Sequence, residues 1–210
     1  MMRFLITTTI LLSLTACAVL PGVKPAGRNH VYLLETRLPA VAGASAGCGV
    51  VVVNPPENAP GQSGAQMLYQ RHPNQIERFA FSRWAASPAM MLEPLLLDAL
   101  RVSARYSAVL SSPAPVSGDL RVENDGLWLI QRFDDERSFV ELRMSSRIYA
   151  PRQRQLLNAR NFSYTVPASE QTPDAGVAAA DNAVRRLLQD FSEFVAAAAT
   201  GPDGRCAGEI

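Results

Sequence analysis

Cysteine is the most chemically reactive residue type in this chain, and it occurs three times, at positions 17, 48 and 206. A cysteine thiolate can be alkylated, oxidised to a disulfide or bound to a metal ion. Cys17 follows an uncharged run, Phe4 to Leu14, that begins directly after Arg3. About 20 apolar residues are needed to span a bilayer, so this shorter run is typical of a signal-peptide core.

The residues Leu14-Thr15-Ala16-Cys17 close the apolar run and resemble the lipobox of bacterial lipoproteins. The resemblance implies cleavage before Cys17 and attachment of diacylglycerol and palmitate chains to it, and several acyl chains on one residue make a lasting membrane anchor. The alternative is an ordinary secretory signal with an incidental cysteine. Such lipoproteins usually stay in the inner membrane when Asp follows the cysteine, and Ala18 therefore favours the periplasmic face of the outer membrane.

Three regions are expected on this basis. Residues 1–16 form the signal peptide, and residues 17–30 form the lipidated cysteine with a flexible tether, because prolines and glycines recur there without periodicity. Residues 31–210 form a single domain, for which the length and the 48% hydrophobic content predict an ordinary core.

The charge of the mature chain excludes one broad class of partner. The whole sequence has a formal net charge of +1, and cleavage removes only Arg3, which leaves a formally neutral chain. Such a chain has no general electrostatic attraction to nucleic acid or to anionic lipid. No nucleic-acid partner is expected.

The two cysteines that are not lipidated, Cys48 and Cys206, are predicted to form a disulfide. An envelope location outside the cytoplasm is oxidising, and disulfides persist there. The alternative is a pair of separate buried thiols. A metal site is not expected, because no CxxC motif or Cys/His cluster accompanies these residues.

The remaining reactive residues do not form a recognisable catalytic pattern. His30 lies in the tether and His72 lies beside a proline, and neither has a matching nucleophile; no GxSxG or phosphate-binding loop occurs. The acidic run 134–136 is flanked by Arg132 and Arg137, which indicates a solvated turn. We therefore expect no catalytic residue, no metal and no cofactor.

The N-terminal half of the domain combines short strands with one helix. Val31–Leu34 and Val50–Val53 read as strands, and residues 67–81 read as a hairpin that turns at 72–74. Ser87 is a candidate N-cap, followed by Pro88 at the first position of a helix. Pro94 predicts a bend in that helix.

The C-terminal half predicts long strands and a long helix. Residues 120–133 form a strand with a bulge or tight turn at 124–126. Residues 138–149 alternate between apolar and polar types, and residues 156–166 make the return strand. A helical apolar spacing runs from Pro173 to Ala199. The order of elements predicts an α+β two-layer sandwich: a mostly antiparallel or mixed sheet with two main helices packed on one face.

Several segments resemble the ABC-type transport auxiliary lipoprotein family, the lipoprotein components of MCE and paraquat-inducible membrane-integrity systems. The segments that carry the resemblance are Tyr32–Leu34, Val50–Val53 with Pro55, Met67–Tyr69, Phe79–Ala85 with Pro88, Met91-Leu92 and Leu100, Leu156 with Ala159–Phe162, and Ala178–Ala183. The resemblance implies a non-catalytic docking role in lipid transport that maintains envelope integrity. Its implied partners are an MCE-domain protein, a permease and an ATPase, and it leaves a homo-oligomer open. A structural envelope lipoprotein and a lipid-tethered periplasmic hydrolase are the competing hypotheses.

Two neighbouring residues of the family segment are candidates for a partner or core contact. Trp84 precedes the first helix and is read mainly as a core or hinge aromatic residue. For Arg83 two alternative roles stay open: pairing with a buried carboxylate, or projecting towards a partner.

The anchor predicts the outcome of one substitution. Cys17→Ser removes the only thiol available for acylation at the cleavage site, so lipidation and cleavage by the lipoprotein peptidase are both lost while the domain still folds. Mass spectrometry and membrane fractionation measure this. A variant that still partitions with the outer membrane as an acylated protein would contradict the lipobox assignment.

Overall fold

The computed structural model describes residues 28–41 and 47–199, which excludes Cys17 and Cys206. Within these residues the chain forms strands and helices with bounds as follows: β1 His30–Tyr32, β2 Val50–Val53, β3 Gln66–Gln70, β4 Glu77–Trp84, α1 Pro88–Val102, β5 Ala108–Ser111, β6 Leu120–Phe133, β7 Ser138–Ala150, β8 Gln155–Ala168 and α2 Pro173–Ala199. Among the described residues, no helix is sufficiently long and apolar to cross a membrane.

The eight strands form one mixed sheet that is organised around β6. On one side, β6 pairs antiparallel with β7 along its whole length, and β7 pairs antiparallel with β8. On the other side, the start of β6 pairs parallel with β2, which continues to β5. The end of β6 pairs parallel with β3, which continues to β4 and then to β1. The sheet therefore divides beyond β6 into two branches.

Between the two branches, the backbone of β6 is hydrogen-bonded by the segment that connects β2 to β3. Glu57 and Ala59 exchange backbone hydrogen bonds with β6 at residues 124 and 127. Next, the buried side chain of Gln62 takes the place of a strand residue: its Nε2 donates to the carbonyl of Leu129 at 3.0 Å, and its Oε1 accepts from the Leu129 amide at 2.9 Å. Buried backbone groups need such partners, so this amide keeps the edge of β6 satisfied.

Both helices begin at side-chain caps. Ser87 accepts a hydrogen bond from the Met90 amide through its Oγ at 3.4 Å, and Pro88 occupies the start of α1. Thr172 accepts from the Ala175 amide at 3.3 Å, and Pro173 occupies the start of α2. Proline costs nothing at this position, because its missing N–H would be unpaired there in any case.

The core lies between the helices and one face of the sheet, which we call the inner face. One hydrophobic cluster contains residues from both helices and from β2 to β8, including the fully buried side chains Leu92, Leu96, Leu100, Leu142, Met144, Ile148, Leu187, Leu188 and Phe191. This arrangement confirms the predicted α+β two-layer sandwich.

A buried polar network fixes the start of α2 on the sheet. The Gln131 side chain donates through Nε2 to Ser138 Oγ and to the Thr172 carbonyl, both at 3.1 Å. Gly176 lies directly above this amide, and a Cβ there would come within 2.1 Å of Gln131 Oε1. The close approach of α2 to the sheet therefore requires glycine at this position.

Most elements predicted from the sequence are confirmed. The hairpin of β3 and β4 turns where expected, with Asn74 in the left-handed conformation at a φ of 63°. The register of β6 shifts between Asp125 and Trp128, which confirms the bulge. α2 has the predicted bounds. Pro94 lies inside α1, where the bend stays a prediction.

Tyr106 supplies a test of core energetics. Its hydroxyl is buried without a hydrogen-bond partner among the described residues, and burial raises its pKa to about 12 from 10.0. Tyr106→Phe removes an unpaired buried group and should stabilise the fold by about 1 kcal/mol. Chemical denaturation measures the free energy of unfolding.

The contribution of Tyr106 to the free energy of unfolding depends on pH with a definite sign. Because the folded-state pKa is raised, the native protein loses stability from Tyr106 as the pH rises from about 10 to about 12. Tyr106→Phe should lose less stability over this interval. Equal losses in the two proteins would show that the hydroxyl is hydrated and that its pKa is not raised. A variant that is destabilised at neutral pH would show that the hydroxyl has a hydrogen-bond partner.

Candidate docking surface

The face of the sheet opposite the helices, which we call the outer face, is polar along β6, β7 and β8. Alternate residues of β7 point to this face, and the intervening ones are buried in the core. The pairing of the strands sets rows of outward residues across the sheet: Glu123, Arg147 and Ala159; Asp125, Ser145 and Asn161; Trp128, Arg143 and Ser163.

The bulge in β6 decides which residues reach the outer face. One extra residue lies between Asp125 and Trp128, at Gly126-Leu127, and Gly126 has a φ of 64°. Side chains alternate along a strand, so one inserted residue exchanges the two faces beyond it. As a result, Leu127 is buried in the core and Trp128 points outward.

Trp128 and Arg143 form the centre of a shallow hollow. The Arg143 guanidinium carbon lies 5.4 Å from the centroid of the Trp128 ring, within the range of a cation–π contact. The hollow has a volume of about 370 Å³, and Ala59, Ser145, Asn161 and Ser163 are among its lining residues. Tryptophan and arginine are enriched among the residues that dominate protein–protein binding energy.

Ion pairs on both sides hold the hollow in place. Arg147 pairs with Asp125 and lies 4.0 Å from a carboxylate oxygen of Glu123. The charge of Asp125 is the main cause of a raised pKa at Arg147. Towards the other end of β6, Arg132 pairs with Glu141 at 2.8 Å. These contacts neutralise the flanking charges, and Arg143 itself has no carboxylate partner among the described residues.

The groups that line the hollow are suited to recognition. Ser145 donates a hydrogen bond to Asn161 Oδ1 at 2.8 Å, so its hydroxyl is paired with an amide. No group of three or more His, Cys, Asp and Glu side chains that could hold a metal lies within residues 28–41 and 47–199. Hydroxyl, amide and guanidinium groups offer hydrogen bonds, and the Trp128 ring offers a flat apolar surface. The Trp128 Nε1 is buried and has no hydrogen-bond partner among the described residues.

The two neighbouring candidate residues, Arg83 and Trp84, have different environments in the structure. Trp84 is 4% exposed and belongs to the hydrophobic core. Arg83 is exposed, points away from that core and has no carboxylate partner among the described residues. It lies on β4, three strands away from β7 in the sheet, and does not line the hollow.

Two of the three cysteines fall outside the part of the chain that the structure describes. Cys17 and Cys206 are both outside it, so the lipidation of Cys17 stays a prediction. Cys48 is half-buried and packs against the core. Its pairing with Cys206 also stays a prediction.

The sequence reasoning missed Trp128, Arg143 and Asn161 as site residues, although each carried a signal. Arg143 falls on the polar side of the alternation predicted for residues 138–149, and Asn161 lies within one of the segments that resemble the family. The bulge expected at residues 124–126 reverses the alternation of β6, which puts Trp128 on the polar side. A tryptophan on a polar strand face is the signal that could have located the hollow.

The strands and helices define an α+β domain with a polar outer face, and comparison with known proteins supplies its family. The family described as ABC-type transport auxiliary lipoprotein component matches residues 32–191. The chain belongs to this family. The match begins at the last residue of β1 and covers β2 to β8, α1 and most of α2.

Two solved structures share the fold. The crystal structure of protein XCC0632 from Xanthomonas campestris has a TM-score of 0.70 at 15% identity, covering 80% of this chain and 96% of the other. The crystal structure of an uncharacterized protein has a TM-score of 0.61 at 14% identity, covering 80% and 99%. No curated protein matches the sequence.

The stacking of Arg143 on Trp128 can be tested by fluorescence. The chain has two tryptophans, and Trp84 is buried in the core, so Trp128 dominates quenching by a solute. Arg143→Ala uncovers the Trp128 ring and should increase quenching by acrylamide, with a stability change below about 1 kcal/mol. Arg186→Ala, at an exposed position of α2, is the matched control. Unchanged quenching in Arg143→Ala would show that the arginine does not cover the ring.

Proposed function

We propose that this protein is an outer-membrane lipoprotein, anchored through Cys17 on the periplasmic face, that docks an MCE-associated ABC-type lipid transport system. Its role is non-catalytic. It holds the outer-membrane end of the transport path through a partner contact and helps to maintain envelope integrity. The partners are the MCE-domain protein, directly, and through it the permease and the ATPase.

The observation that carries the proposal is the match of residues 32–191 to the family of transport auxiliary lipoproteins. The lipobox-like end at Leu14–Cys17 and the tether that follows are consistent with an anchored protein. A tether of this kind raises the effective concentration of the domain near a partner at the same membrane. A transport component that acts by docking needs this proximity and one recognition surface.

The hollow on the outer face is the recognition surface favoured here. Trp128 supplies a broad, rigid apolar group, and Arg143 beside it supplies donors that are free of carboxylates within the described residues. Such a pair, surrounded by hydroxyl and amide groups, matches the composition of binding hot spots. We assign the MCE-domain protein to this surface.

Copurification tests the docking role. The lipidated protein, extracted in mild detergent, should retain the MCE-domain protein. Truncation of a binding hot spot costs about 2 kcal/mol or more, so Trp128→Ala should weaken the retained complex by roughly 30-fold. Arg143→Ala should weaken it as well, whereas Arg186→Ala should leave it unchanged.

Two results would count against the proposal in different ways. Absence of any transporter component from the wild-type preparation would favour a passive structural lipoprotein. Copurification that survives both Trp128→Ala and Arg143→Ala, in variants with unchanged thermal unfolding, would show that docking uses another surface.

A further inference from the structure

An exposed apolar patch lies at the β1 edge of the sheet. Val31, Leu33 and Phe81 are 51%, 49% and 49% exposed. Val31 pairs with Arg83, which points to the outer face because its neighbours Ser82 and Trp84 are buried. Phe81 lies two residues before Arg83, and Leu33 directly follows β1 next to the buried Leu34; both side chains are exposed. The pairing of β4 with β3 shifts between Arg83 and Arg78, and beyond this shift Phe79 packs against the core, so Arg78 points to the outer face. We call these residues, together with Arg78 and Arg83, the edge surface.

The edge surface is basic, although the mature chain as a whole is formally neutral. Arg28, Arg71, Arg78 and Arg83 occur in residues 28–34 and 66–85, and Glu77 is the only carboxylate in these two ranges. Glu77 already accepts a hydrogen bond from Tyr69 at 2.8 Å. None of these four arginines takes part in an ion pair among the described residues.

The start of the folded chain is fixed beside this surface by contacts with α2. Tyr32 donates a hydrogen bond to Asp174 at 2.9 Å, and the Glu35 amide donates to Asp181 at 3.2 Å. Arg185 donates through Nε to Thr36 Oγ1 at 3.2 Å. These bonds join positions more than 140 residues apart, so β1 leaves the domain at a defined place.

The proposed anchor at Cys17 limits the distance between β1 and the membrane. Thirteen positions separate Cys17 from His30, the first residue of β1, and a chain of this length reaches at most about 45 Å. A lipidated Cys17 therefore keeps β1 within about 45 Å of the bilayer and allows this end of the sheet to reach the lipid. Exposed apolar side chains flanked by unpaired arginines are the composition of a surface that binds anionic lipid.

We propose that the edge surface lies against the membrane and binds anionic phospholipid headgroups through Arg78 and Arg83, while Phe81, Val31 and Leu33 enter the headgroup–acyl boundary. This inference rests on the Cys17 anchor of the proposed function. It adds an orientation to that function, because an anchored domain with a second membrane contact presents its remaining surfaces in one fixed direction.

Tryptophan quenching by brominated lipids tests the contact. The lipidated full-length mature protein carrying Phe81→Trp is placed in phosphatidylcholine vesicles with or without phosphatidylglycerol, with bromine on the acyl chains. Interfacial side chains enter about 5–10 Å, so emission in the anionic vesicles should fall at least about twofold more than for Val116→Trp. Val116 is equally exposed at 49% and lies between β5 and β6, at the opposite end of the sheet from β1.

A charge-reversal variant is the second test of the membrane contact. Arg78→Glu with Arg83→Glu, in the Phe81→Trp background, should reduce quenching to the level of Val116→Trp. The acyl chains still carry this variant with the vesicles in a flotation assay, because the anchor is separate from the edge surface.

The outcomes that overturn the inference are distinct from failure of the anchor. A lipidated, floating protein in which Phe81→Trp and Val116→Trp are quenched equally overturns the membrane contact. Concentration-dependent shielding of the Phe81→Trp residue without vesicles would assign the edge surface to a second copy of the chain, which also overturns it. A mature protein without acyl chains on Cys17 would instead contradict the proposed function.

Discussion

The hydrogen-bonding requirement of β6 is the constraint on which the rest of the sheet depends. A 14-residue strand in the middle of a sheet must pair its backbone on both sides. β7 fills one side completely, whereas the other side is divided between β2, the segment around Glu57 and Ala59, the Gln62 amide and β3. One side-chain amide in the middle of this edge allows two separate branches to share a single strand. β1 and β5 consequently lie at opposite ends of one continuous sheet.

The bulge in β6 connects this architecture to the surface chemistry. Before the bulge, Val122 and Asn124 point to the inner face, where Asn124 accepts a hydrogen bond from Ser146 at 2.7 Å. After it, Leu127 and Leu129 occupy the same face. The extra residue therefore keeps the core apolar beside α2 and places Trp128 opposite Arg143 on the outer face. The same irregularity therefore determines both the packing of the core and the residues on the outer face.

The parts of the fold that were predictable are those governed by local periodicity. The alternation in β7 and the helical spacing in α2 each specify a buried face without reference to distant residues. The parallel pairing of β2 with β5 and β6 could not be predicted in this way, because it depends on residues that are 58 or more positions apart, such as Val50 with Ala108. The pairing of Gln62 with Leu129 is also non-local, and a glutamine in a loop has no sequence feature that indicates it.

The candidate sites differ in the same respect. The outward direction of Arg143 followed from alternation, and that of Trp128 follows from the predicted bulge, but their contact depends on the register of β6 with β7. Arg83 could be identified as a candidate residue, but the sequence did not decide between a buried ion pair and an exposed position. The burial of the neighbouring Trp84 places Arg83 on the outer face. Register and burial are tertiary properties, and they decide which polar residues of a strand meet.

The twist of the sheet then determines how the two surfaces are oriented. Neighbouring strands rotate by about 20–25°, so the five steps from β8 through β7, β6, β3 and β4 to β1 accumulate roughly 100° or more. The hollow on β6 to β8 and the edge surface on β1 and β4 share one face of the sheet but point in different directions. If the edge surface binds the membrane as proposed, this rotation turns the hollow away from the bilayer and leaves it open to a protein partner. In a flat sheet both surfaces would face the lipid, so it is the twist that would let the proposed membrane contact and the Trp128–Arg143 pair use opposite ends of one face.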